Sequence, residues 1–214
     1  EKAFTPKHSS GEVEVEFKLP GETVRGKSVV VFEELYLEDM KIAMHADIKG
    51  EGQTVYYPDI KTLAKDSETS VGVSNADSKI TIVDTVSYSG LMPNKEYTLV
   101  GKLMDKATNK PLIVDGKEVT AMTDFTPQKS AGTVNVTFTF DSTNLEGKSV
   151  VVFETLKYHN KEVASHADIN DDGQTVYFPK IGTMAKDTET QIGVSKADET
   201  VKIIDIVSYE GLRP

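Results

Sequence analysis

The chain repeats itself at long range, and that limits what it can fold into more than any other feature. Residues 1–93 align with residues 122–214 at a constant offset of 121, without insertion or deletion. Gly26–Glu33 (GKSVVVFE) recurs at Gly147–Glu154, His45–Ile48 (HADI) at His166–Ile169, Gly52–Tyr56 (GQTVY) at Gly173–Tyr177, and Ala64–Asp66 (AKD) at Ala185–Asp187. Such a period is too long for a solenoid unit and suits a domain. A period carries no phase, so the boundary must come from another signal. Strand-like runs end in proline at Pro58-Asp59 and again at Pro179-Lys180, a natural break because proline cannot continue a ladder. The expected division is a C-terminal part of one domain at 1–58, a complete domain at 59–179, and an N-terminal part of a further repeat at 180–214. Together the two partial pieces lack only the counterpart of residues 94–121.

Within the complete unit the pattern is that of strands. Lys79–Tyr88, Lys95–Leu103, Thr133–Phe140, Ser149–Lys157 and Gln174–Phe178 are short runs rich in β-branched and aromatic residues, with turn residues between them. Alternation is plain in TVNVTFTF, and no stretch keeps a 3.6-residue period over three turns. Several strands in one domain-sized repeat predict an all-β, Ig-like β-sandwich in tandem copies.

The formal net charge of −10 argues against nucleic acid, which selects basic faces, and against anionic membrane surfaces. No apolar run is long enough to span a bilayer, and no secretory leader opens the sequence. There is no cysteine, so a load-bearing secreted domain would need a staple other than a disulfide. No cofactor is expected.

The titratable candidates recur once per repeat: Asp84, Glu154 and His166, with Thr62 and Gln174 beside them, and their counterparts Asp205, Glu33, His45, Thr183 and Gln53. Duplication alone preserves idle residues, and a turn histidine copied twice is the plainer account of His166. Glu154 is harder to dismiss. In VVVFE, alternation puts Val150, Val152 and Glu154 on one face and Val151 and Phe153 on the other. Either something apolar faces water or a carboxyl faces the core, where it must be protonated or tightly hydrogen-bonded. A strand that ends at Glu154, in solvent, is the alternative.

The VVFE run, the HxDI segment leading to QTV, and the DTVSY-xGL strand resemble the repeats known as VaFE or T-Q ester-bond domains, found in stalks of surface adhesins of Gram-positive, clostridial-type bacteria. The resemblance spans the whole complete repeat and most of both partial ones. It implies a CnaB-like sandwich in a secreted, wall-anchored protein. It also implies an autocatalytic cross-link in which a first-strand threonine attacks a last-strand glutamine carboxamide and ammonia leaves. Carried onto this sequence, Thr62 is the nucleophile, Gln174 the acyl donor, His166 the general base, and Glu154 and Asp84 the assisting acids. Asp168 also lies near the histidine in sequence and competes for the role of Asp84. Such a domain reacts once and is no turnover enzyme. Its partners would be neighbouring repeats, with any host ligand held by another domain. Thr183 has no downstream glutamine and Gln53 no upstream threonine within their own copies, which leaves open their joining between chains.

Three other readings compete. A Lys–Asn isopeptide bond would use Lys61, but its counterpart is Gly182 and the last strand offers a glutamine. A hydrolase would need a nucleophile elbow, and Gly72-Val-Ser74-Asn75-Ala76 does not make one. The run from Asp168 to Gly173 copies half of an EF-hand loop, but Pro179 stands at the twelfth position, so a solvated acidic turn is the simpler expectation.

Overall fold

A computed structural model describes all 214 residues, and it is built almost wholly of strands. Four precede Pro58: β1 (Lys27–Val30), β2 (Glu33–Leu37), β3 (Met40–His45) and β4 (Thr54–Tyr57). The complete unit carries β5 (Asp59–Asp66), β6 (Ile80–Ser89) and β7 (Tyr97–Asp105). Three two-residue pieces follow, β8 (Lys110–Pro111), β9 (Ile113–Val114) and β10 (Lys117–Glu118). Then come β11 (Thr120–Phe125), β12 (Gly132–Phe140), β13 (Ser149–Tyr158), β14 (Lys161–His166) and β15 (Thr175–Tyr177). Beyond Pro179 lie β16 (Lys180–Asp187) and β17 (Ile203–Glu210). The longest α-helical piece is one turn, Gly21–Val24, and no helix is long and apolar enough to cross a membrane.

Residues 59–178 form two main antiparallel sheets and a short β9-β10 ladder. One has the order β12-β6-β5; the other runs β11-β7-β13-β14, with β15 also paired to β13. Strand alternation fills the space between them. Ile80, Ile82 and Val86 of β6, and Val136, Phe138 and Phe140 of β12, meet Leu99 and Leu103 of β7 and Val150, Val152 and Leu156 of β13. The last strand closes the sandwich. β15 pairs with the first half of β13 and forms a parallel bridge to Val73. There Tyr177 N donates to Gly72 O at 3.0 Å and Ser74 N to Tyr177 O at 2.9 Å. First and last strands therefore lie close by necessity.

Very short connectors join successive strands here, Pro58 alone between β4 and β5 and Phe178-Pro179 between β15 and β16. Both junctions are built alike. Gly26 N donates to Tyr57 O and Gly147 N to Phe178 O, each at 2.8 Å. At the first, Gly90 (φ +68°) lies where a Cβ would press on Tyr57 O and the Gly26 backbone; at the second, Gly211 (φ +64°) lies equally close to Phe178 O and Gly147. Positive φ and backbone-to-backbone approach both call for glycine.

One expectation needed adjustment. Gln174 belongs to a 3-10 turn, Asp172–Gln174, that precedes the last strand. Residues 11–19 repeat the alternation of β12 yet form no strand. β12 is held by its ladder to β6, whereas residues 11–19 pair with no strand; a strand without a partner leaves its backbone groups to water.

Candidate functional site

Two rows of side chains face each other across the complete unit. In one sheet the register sets Gly101, Glu154 and His166 side by side on β7, β13 and β14. In the other it sets Val136, Asp84 and Ala64 side by side on β12, β6 and β5. Thr62, two residues before Ala64, points to the same face. Each carboxyl is thus flanked by a very small residue. A Cβ at Gly101 would stand against the Phe138 ring and 2.5 Å from Glu154 Oε1, so that strand position has room only for hydrogen if the Glu154 carboxyl is to turn inward.

Glu154, Asp84 and Gln174 are fully buried. The open question about VVVFE is settled: Val150, Val152, Glu154 and Leu156 all point into the core. Asp168 is exposed, and its Oδ1 accepts from Asn170 N at 2.9 Å in a local turn. The Asp168–Asp172 carboxylates go separate ways. Asp172 lies 3.6 Å from Lys106 Nζ, whereas Asp171 turns inward, its Oδ2 3.0 Å from His166 Nε2. The acidic turn is therefore solvated only in part. Lys61 is exposed on β5, on the face opposite Thr62.

The polar atoms of this cluster are shut away from water without partners. Thr62 Oγ1, both oxygens of Asp84, both of Glu154, His166 Nδ1, and Gln174 Oε1 and Nε2 are buried and make no hydrogen bond. The remaining such side-chain atom in the chain is Oε1 of Gln53, the repeat counterpart of Gln174. Folded proteins hydrogen-bond nearly all buried polar groups, and each orphan costs about 1–3 kcal/mol. Concentration of these orphans in one cluster marks a place held for chemistry.

Burial pushes Glu154 up to about 9, and the neighbouring Asp84 charge adds to the rise. Burial likewise lifts Asp84 to about 7, against the pull of Thr62, Glu154 and the Leu63 amide and with help from the Asp171 charge. Those neighbours are near, but none forms a hydrogen bond of normal geometry to Asp84, so desolvation governs the direction. Glu154 keeps its proton near neutrality while Asp84 titrates there, and the two titrate as a pair. Protonation therefore favours the fold. That contribution is complete below the ordinary values of 3.8 and 4.5 and disappears as pH rises through about 7 and then about 9. The uncross-linked Thr62→Ala chain is expected to show a urea midpoint that falls steadily from pH 6 to pH 9. Adding Asp84→Asn and Glu154→Gln should flatten the trend, and a midpoint that rises over this range would contradict the assignment.

The partial copies hold the same residues in looser settings. Glu33 pairs with His45 across β2 and β3 as Glu154 does with His166, but both are exposed. Thr183 and Asp205 are exposed on β16 and β17. Gln53 Nε2 donates to Val31 O at 2.7 Å. Two residues of the site were missed in the sequence. Gly101 falls in the stretch with no second copy, and Asp171 is replaced by Gly50 in the first copy, so repetition singled out neither.

Among solved structures, the chain is similar to a bacterial adhesin from Mobiluncus mulieris containing intramolecular disulfide, isopeptide and ester bond cross-links. The identity is 13% and the TM-score 0.47, over 72% of this chain and 75% of that one. It is also similar to a beta-glucuronidase from Bacteroides uniformis, at 7% identity and a TM-score of 0.36, over 60% of this chain and 15% of that one. No curated protein matches the chain. The family model for the T-Q ester bond containing domain matches at residues 1–57, 58–178 and 179–214. Those matches leave no residue uncovered, and the chain belongs to the family of T-Q ester bond containing domains.

Proposed function

We propose that the complete unit is a stalk domain of a bacterial surface adhesin that cross-links itself once, by an ester between Thr62 of its first strand and Gln174 beside its last. The observation that carries this reading is the buried cluster of unpartnered donors and acceptors, made up of the five residues such a reaction requires. In the reaction His166 Nδ1 takes the proton of Thr62 Oγ1 as that oxygen bonds to Gln174 Cδ. The carbonyl electrons move to Oε1, which the protonated Glu154 stabilises by donating its O–H. Glu154 stays protonated because burial and Asp84 raise its pKa. The C–N bond then breaks, Nε2 leaves with the proton from His166 as ammonia, and the carbonyl reforms as an ester. Folding brings the reactants together, which can remove roughly 7–11 kcal/mol of barrier. Nothing regenerates the amide, so the domain is spent after one turn and is not an enzyme.

Connectors of one and two residues and repeated backbone junctions suit a serial array at the surface of a Gram-positive cell, anchored to its wall, with any host ligand bound elsewhere. The Lys–Asn isopeptide alternative is disfavoured because Lys61 faces solvent.

The test is the intact mass of the denatured chain. Wild type should be lighter by one ammonia, Thr62→Ala should have full mass, and alkaline hydroxylamine should open the wild-type link as it opens esters. Full mass in the wild type would refute the ester. The same spectrum reports joining of Gln53 to Thr183 between chains as covalent multimers, and a clean monomer would exclude it.

A further inference from the structure

We propose that Lys106 is a positioning residue for the acyl donor, a bracket that reaches across the sheet and seats the segment carrying Gln174 before the ester forms. This rests on the ester reading above and extends it to a residue outside the reacting cluster. Lys106 directly follows β7, and its N donates to Ser149 O of β13 at 3.1 Å. Strand alternation puts its side chain on the outer face with Met104, which the register sets in line with Val151 of β13 and Thr175 of β15. From there Lys106 Nζ donates to Thr175 Oγ1 at 3.1 Å. It also lies 3.6 Å from Asp172 Oδ1 and 5.6 Å from the centre of the Tyr177 ring, close enough for a cation over an aromatic face. Tyr177 Oη in turn donates to Asp172 Oδ1 at 3.3 Å. One ammonium thus meets three residues of the 3-10 turn and the last strand, and the lysine side chain is only 25% exposed.

The last strand needs such a hold. Its ladder to β13 is three residues long, and its other edge is paired through a single bridge at Val73. Its two faces have separate tasks. Gln174, Val176 and Phe178 are buried toward the core, whereas Thr175 and Tyr177 alternate with them and turn to Lys106. The hydrogen bonds also have one direction. Thr175 has a single hydroxyl proton, which it donates to Asp171 O at 2.8 Å, so its oxygen is free to accept from Lys106. The same backbone carbonyl accepts from Gln174 N at 3.2 Å. A short chain of hydrogen bonds therefore connects the ammonium to the main chain of the acyl donor. The Gln174 carboxamide makes no hydrogen bond of its own, so its place is set by that backbone and by packing. A displacement of about 1 Å from the attack geometry can cost roughly a hundredfold in rate. In the first copy Thr54 Oγ1 donates to Gly50 O at 2.9 Å, as Thr175 does to Asp171 O. The lysine falls in the stretch that occurs once, and Thr54 is half-buried where Thr175 is shut off from solvent.

Lys106→Met keeps most of the apolar stem and removes the charge and the donors. Cross-linking is read by intact mass after timed cell-free synthesis and quenching in denaturant. Amide hydrogen exchange and the Gln174 carboxamide signals are read by NMR in a Thr62→Ala background, with and without Lys106→Met. The expected result is ammonia loss slowed roughly tenfold or more, with faster exchange confined to the β15 amides. The Gln174 carboxamide should lose its single environment, while the β6–β12 ladder exchanges as in the parent. A wild-type rate in Lys106→Met overturns the proposal and leaves the ester intact. So does slowing in which β15 and Gln174 are unchanged, or in which exchange rises equally in β6 and β12. The Thr62→Ala parent gives a check that needs no lysine variant to fold. Its Lys106 ammonium should be ordered and exchange its protons slowly with water, and a freely turning one overturns the proposal. A wild-type chain of full mass overturns both readings together.

Discussion

Thr62→Ala is expected to lower the stability of the complete unit by about 5 kcal/mol, the chain-entropy value for a cross-link closing a loop of roughly 100 residues. For a domain of this size that corresponds to a fall in melting temperature of roughly 20 °C. The local cost of the substitution is small by comparison. Thr62 Oγ1 has no hydrogen-bond partner to lose, and the residue sits on a half-buried stretch of β5. Thr62→Val provides the control, because it removes the hydroxyl and keeps the shape of the side chain. Both variants should unfold at nearly the same temperature, far below wild type. If Thr62→Val melts with the wild type, the covalent link does not stabilise the domain. The difference should widen under force. β5 and β15 lie at the two ends of the unit's chain and meet through the 72–74 segment by only a few hydrogen bonds. Without a covalent tie, a pull on the ends would peel the last strand from β13.

The sandwich was legible because its signals are local and were printed twice. β-branched runs, alternation and proline breaks recur at a fixed offset, and β6, β12 and β13 fall where those signals put them, while β7 was marked by its local run alone. What local pattern could not supply was pairing. Residues 11–19 carry the alternation of a strand and form none, because a strand is completed by a partner and these residues pair with none. The cluster was legible in its recurring members for the same reason as the fold. Even so, burial decided whether Glu154 faced water, and burial is a property of both sheets together. Asp171 and Gly101 escaped notice on physical grounds. Asp171 reads as one acidic residue among several in a turn until the 3-10 geometry separates its carboxylate from those of Asp168 and Asp172. Gly101 reads as an interruption in a strand until Glu154 is seen to occupy the space a side chain would take.

Glu154→Ala is expected to slow cross-linking by roughly 10²–10³-fold, the usual cost of removing one donor from a developing oxyanion, whereas Glu154→Gln should retain a measurable share of the rate. The contrast follows from the state in which Glu154 is held. Burial and the Asp84 charge keep it protonated near neutrality, so what it offers the Gln174 oxygen is an O–H. A glutamine amide offers an N–H from nearly the same place and fits the pocket opposite Gly101. It also carries no charge, so Asp84 no longer shares a titration with a second carboxyl and the uncross-linked fold should become less sensitive to alkaline pH. Alanine gives neither donor nor volume and leaves a cavity between the rows as well as an unassisted oxyanion. Cross-linked fractions by intact mass after timed synthesis would rank wild type above Glu154→Gln and both above Glu154→Ala. If glutamine proved as inactive as alanine, the side chain would have to act ionised, as a proton acceptor. The shared proton would then belong on Asp84, reversing the order that the deeper rise of Glu154 implies.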